Sequence, residues 1–108
     1  MLGLLFTNAS ATDFYLTGKV GQFRYHSLER TGQWSGASWF YLEGVNIADF
    51  QKHCVRHNGK ALIAISRQDT LAWTMVLQAK SQGSSIGVEI TSNRKISGFC
   101  TVDAVDLP

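Results

Sequence analysis

Residues 37–67 read ASWFYLEGVNIADFQKHCVRHNGKALIAISR, two apolar runs flanking a helix-like centre, and the way this stretch folds decides how the rest of the chain is arranged. Successive side chains of a strand point to opposite faces, so Trp39 and Tyr41 take one side while Phe40 and Leu42 take the other. Ala61, Ile63 and Ile65 oppose Leu62 and Ala64 in the same way. Both runs are apolar on both faces, and strands of that kind are ordinarily covered on both.

The centre, residues 46–58, reads as an amphipathic helix. Asn46 is a good N-cap, and Asp49 lies in the first turn, where the helix dipole favours an anion. Lys52, Arg56 and His57 gather toward the far end, and Asn58-Gly59 supplies a left-handed stop. At 100° per residue, Ile47, Phe50 and Cys54 share a stripe with Ala48 and Val55 at its margin, opposite Asp49, Lys52 and Arg56. The flanking strands, 37–43 and 60–67, can then be parallel neighbours joined by a right-handed crossover.

Outward from this stretch, further strands are expected over residues 13–18, 20–27, 71–80, 86–91 and 95–104. Turn signals stand at Thr31-Gly32, Gly44, Gln68-Asp69, residues 81–85 and Ser92-Asn93. In 71–80, Leu71, Trp73, Met75 and Leu77 alternate with Ala72 and Val76. The expected fold is a single α+β domain over residues 1–108: a twisted, mostly antiparallel sheet of about six strands, with one amphipathic helix on one face. One helix cannot cover so much apolar strand. The sheet must curl toward a barrel, receive a second layer of strands, meet another subunit, or line a ligand pocket.

At 108 residues a single core suffices. The net charge of +2 is far from that of a dedicated nucleic-acid binder. Cys54 and Cys100 have no paired spacing and read as free, core-type thiols, which points to a reducing, cytoplasmic setting. Leu2 to Phe6 is apolar but follows no basic residues and is shorter than the ~7 residues of a secretory core, so it reads as a first strand or a loosely held arm. No apolar run approaches the ~18 residues of a membrane span, and no membrane partner is expected.

The motifs give no reaction. His53 and His57 are spaced for one helix face, as in an H-x-x-x-H metal site. Cys54 stands where a glutamate would be needed, and imidazoles near a helix C-terminus are explained by the dipole. No metal or other cofactor is expected. There is no G-x-S-x-G elbow, and Gly18-Lys19 and Gly59-Lys60 lack the remainder of a phosphate loop.

The expectation is therefore a non-catalytic binding or interaction protein that self-associates, with a dimer as the first form to test. Its recognition surface or apolar pocket, for a small molecule or a protein, is assigned to Trp34, Trp39, Tyr41 and Trp73, with Arg24 and Tyr25 at the rim. A second reading, a nucleic-acid or anion binder, uses the acid-free stretch 50–68 with Lys52, Arg56, Lys60 and Arg67. A third is a small metal-dependent or cysteine enzyme.

Overall fold

The computed structural model describes residues 13–107, so the reading of residues 2–6 falls outside it. Five strands and two helices follow in the order β1 (Asp13–Tyr25), β2 (Ser38–Glu43), α1 (Ile47–Gln51), β3 (Ala61–Ile65), α2 (Thr70–Gln82), β4 (Ser85–Ile96) and β5 (Phe99–Asp106). The strands close into a barrel in the order β1-β2-β3-β5-β4, all antiparallel except β3 against β5. β4 returns through α2 to lie beside β1, which makes 4-1-2-3 a Greek key, and β5 closes it.

Of the ways to cover an apolar sheet, the chain uses curling. Phe40, Leu42, Ile63 and Ile65 point inward with Ile86, Val88, Ile90 and Val102, all essentially without solvent contact. Each such side chain contributes about 1.5–3 kcal/mol by leaving water.

β1 makes closure possible by serving two neighbours. Asp13 to Lys19 pair with β4 and Lys19 to Tyr25 with β2, with a bulge between Val20 and Phe23. What reads in sequence as a break between two strands near Gly18 is the barrel corner. A Cβ on Gly18 would stand 2.3 Å from the Glu43 carbonyl oxygen, so only glycine permits the close approach. The Lys80 ammonium donates to the Gly21 carbonyl at the bulge, 2.6 Å away.

Several expectations need correction. Among the described residues the sheet has five strands, not about six, and β2 and β3 are antiparallel, not linked by a parallel crossover. The helix expected over 46–58 is only Ile47–Gln51. Its start is as read, since the Asn46 side chain accepts from the Asp49 amide at 3.1 Å and Phe50 is buried. Its end is not: Asn58 and Gly59, both at positive φ, form the turn of a small hairpin, with His57 and Lys60 exchanging backbone bonds at 2.9 Å. Asn-Gly is as much a signal for a two-residue hairpin as for a helix stop.

Residues 71–80 are not a strand but the body of α2. The buried positions, Val76 and Ala79 with Ala72 and Trp73 partly buried, follow helical spacing, and α2 packs on β1, β5 and β4. Gly83 ends it in the left-handed conformation, with Ser84 and Gly83 amides donating to Ala79 and Lys80 carbonyls. Ser92-Asn93 lies within β4, and the chain reverses instead at Ser97-Gly98, again with both φ positive.

Cys54 and Cys100 are not free thiols but a disulfide, with Cα atoms 5.7 Å apart. Barrel closure lays the connection after α1 against β5 and brings together two cysteines 46 residues apart in sequence. The argument for a reducing compartment loses its premise, because such bonds belong mainly to oxidising surroundings. Among the described residues no helix is long and apolar enough to cross a membrane.

Candidate functional site

The outer face of β2 and β3 carries a second, smaller apolar layer. Trp39, Tyr41 and Leu62 form its floor, and Trp34 and Phe99 pack against them. Strand alternation causes this: Phe40 and Leu42 face the barrel interior, so Trp39 and Tyr41 face out, and Leu62 pairs with Tyr41 across the ladder.

Two loops fold over the floor. Residues 26–37 connect β1 to β2 and are pinned at their base by the His26 amide, 3.0 Å from the Ala37 carbonyl oxygen, which also lies 2.9 Å from the His26 Nδ1 atom. Trp34 packs on His26 at 5.0 Å, the rings tilted by 34°, and reaches Phe99 at 6.2 Å. From the other side, the hairpin around Asn58-Gly59 sets the His57 ring nearly parallel to Tyr41, with the tyrosine oxygen 2.9 Å from His57 Nδ1. The Lys60 ammonium lies 5.1 Å from the centre of the Tyr41 ring, a cation–π arrangement. The Ser97 amide donates to the Gln33 side chain, tying the β4–β5 turn to the first loop.

The floor is consequently not an open platform: Trp39 is 8% exposed and Tyr41 5%. The accessible rings are the outer ones, Trp34, His57 and Phe99. Phe99 is absent from the residues expected from sequence; its signal is its place beside inward-facing Cys100, which turns it outward.

The charges sort themselves. Lys52 pairs with Asp49 at 3.2 Å and Arg94 with Asp103 at 2.7 Å, a hydrogen-bonded contact that raises the arginine pKa. Arg24, Arg56, Lys60, Arg67 and Lys95 form no ion pair among the described residues. Arg24 stands opposite Trp39 in the β1–β2 ladder and leaves the barrel on the same face, so Arg24 and Lys60 flank the aromatic floor. Arg56 and Lys52 line a shallow groove with Lys95, while Arg67 lies elsewhere. The four basic residues expected to form one patch therefore divide into three places.

Trp73 and Tyr25 are likewise separate from the β2–β3 face. They meet edge to face at 6.4 Å beside the N-terminus of α2, where they line a cavity of about 540 Å³ with Leu28 and Arg67. The two histidines considered for metal are not presented by one helix: His53 packs on Phe14 at 4.9 Å, and His57 belongs to the hairpin. No group of three or more His, Cys, Asp or Glu suited to a metal occurs among the described residues.

Compared with known proteins, the chain matches no family model, no curated sequence and no solved structure.

Proposed function

We propose that this is a non-catalytic binding protein whose ligand is single-stranded nucleic acid, held across the outer face of β2, β3 and the start of β5. The observation that carries the reading is the aromatic layer flanked by Arg24 and Lys60, with two loops that touch each other closing over one side. Bases stack on exposed rings whatever their identity, and unpaired cations take the phosphates. Trp39 and Tyr41 act as a buried floor that fixes the orientation of Trp34, His57 and Phe99, the rings that a base can reach.

The topology of the barrel points the same way. Five-stranded Greek-key barrels of the OB type offer the face of strands 2 and 3, with the loops joining strands 1–2 and 4–5, to oligonucleotides or oligosaccharides. The modest net charge of +2 limits how many phosphates this face neutralises, so the expected affinity is micromolar.

Self-association, the first expectation from sequence, has lost its main argument, since closure buries the inner face of β2 and β3 and the outer face keeps only Trp34, His57 and Phe99 accessible above its buried floor. What remains in its favour is the exposure of large apolar side chains, Tyr25, Leu28 and Leu71 among them.

Titration with oligothymidylate, followed by intrinsic tryptophan fluorescence, tests the proposal. Quenching with a dissociation constant of about 1–100 µM that weakens steeply with salt is expected. Absence of any fluorescence change at low salt would sink it.

A further inference from the structure

The cavity between the β1–β2 loop and α2 lies apart from the β2–β3 face and goes beyond the function proposed for that face. Its volume, about 540 Å³, is in the range of small-molecule sites. Tyr25 and Leu28 form part of its wall and are 52% and 64% exposed, an apolar outlay that the fold itself does not need.

Three further observations say what kind of molecule fits. Arg67 lines the cavity and holds no acid partner among the described residues. Its stem is packed against Gly36, where an added Cβ would lie 3.3 Å from the Arg67 Cβ and 2.5 Å from Leu28, so the guanidinium is carried on an ordered base. Trp73, which also lines the cavity, has the one buried side-chain polar atom without a hydrogen-bond partner among the described residues, its indole Nε1. With that N–H turned away from solvent, Trp73 offers the cavity the apolar part of its ring. Asp69 also lines the cavity, but its charge is felt by Arg94 as well, and it lies at the N-cap of α2.

We propose that this cavity binds a small amphipathic carboxylate: a flat apolar body between Tyr25, Leu28 and Trp73, with the carboxylate on the Arg67 guanidinium. The apolar walls supply the area, and the arginine supplies the discrimination, because a planar guanidinium matches a carboxylate with two parallel bonds. An uncharged molecule of the same shape fills the walls and leaves the arginine idle.

The test uses the whole chain and three probes: 2-naphthoate, the neutral 2-naphthalenemethanol, and acetate. Calorimetry is expected to show naphthoate binding at least about tenfold more tightly than the alcohol, with acetate negligible. Arg67→Gln should abolish that preference while leaving the alcohol unchanged; Arg56→Gln, outside the cavity, should alter neither. In the unsubstituted protein the Trp73 indole N–H resonance should shift on naphthoate addition, a readout independent of any variant's folding. Equal affinity for the two naphthalene probes, or no binding of either, overturns the proposal. So does sedimentation showing that a second copy of the chain covers this face and excludes naphthoate. Oligothymidylate binding measured on the same Arg67→Gln sample should be unaffected, so failure here and failure of the nucleic-acid reading are distinguishable.

Discussion

The Tyr41 hydroxyl lies 2.9 Å from Nδ1 of His57, and the two rings are inclined by only 17°. One contact thereby fastens the hairpin after α1 to the outer face of the barrel. Removing the hydroxyl with Tyr41→Phe should lower stability by about 1 kcal/mol, and His57→Ala by a comparable amount. In a double-mutant cycle on urea unfolding the pair should show a coupling of about 0.5–1.5 kcal/mol. Strict additivity would mean that the hairpin is held by something else.

The Cys54–Cys100 bond holds the same connection at its other end, closing a loop of 46 residues. Chain entropy for a loop of that length gives a stabilisation of about 4 kcal/mol. For a domain of this size, loss of that amount lowers the midpoint of thermal unfolding by about 15 °C or more. A thermal scan of Cys54→Ser/Cys100→Ser beside the oxidised protein reads the difference directly. Equal midpoints would show that the connection is ordered by packing alone.

The inward and outward faces of β2 and β3 were legible in the sequence because alternation is a property of any strand, and Trp39, Tyr41, Phe40 and Leu42 stand where that pattern puts them. Residues 71–80 were not legible, because the stretch satisfies two periods at once. Leu71, Trp73, Met75 and Leu77 alternate as in a strand, while Ala72, Val76 and Ala79 repeat as in a helix, and the fully buried residues, Val76 and Ala79, belong to the second set. The helix-forming Ala, Leu, Met, Gln and Lys of this stretch were the signal that the alternation outweighed. The reach of the helix at 46–58 failed for a related reason: Asn58-Gly59 serves equally as a helix stop and a hairpin turn, and the segment that follows α1 packs against β5, with Cys54 bonded to Cys100, rather than continuing the helix. That partner is distant in sequence, as are those that bring Trp34 to Phe99 and Tyr25 to Trp73, and so the candidate sites could be assigned residues but not divided.

Gly18 and Gly87 both lack room for a side chain, but the obstacles differ. At Gly18 the nearest atom is the Glu43 backbone oxygen at 2.3 Å, fixed by the β1–β2 ladder. At Gly87 it is the hydroxyl end of Tyr15, a side chain 53% exposed whose only tether at that end among the described residues is a hydrogen bond with Asp106, so it can give way more easily than backbone. Gly18→Ala should therefore cost about 1–3 kcal/mol, within the range of overpacking a close contact. Gly87→Ala should cost well under that. Urea midpoints of the two variants decide the matter, and a reversed order would mean that the barrel corner yields more easily than its close approach implies.

Charge and stacking make separable predictions for the β2–β3 face. Phosphate contacts act through released counterions, so each one removed from a single-strand site should reduce the slope of log affinity against log salt by about 0.7. Arg24→Gln and Lys60→Gln should each show that reduction with oligothymidylate. Lys52→Gln should not, since Lys52 is already paired with Asp49 at 3.2 Å on another part of the surface. Trp34→Ala removes a partly exposed ring, and with it about 1–3 kcal/mol of base stacking, but no charge. Its affinity should fall at every salt concentration while its slope stays that of the parent protein. A slope that drops with Trp34→Ala, or stays fixed when Arg24 and Lys60 are neutralised together, would mean that the strand lies somewhere else.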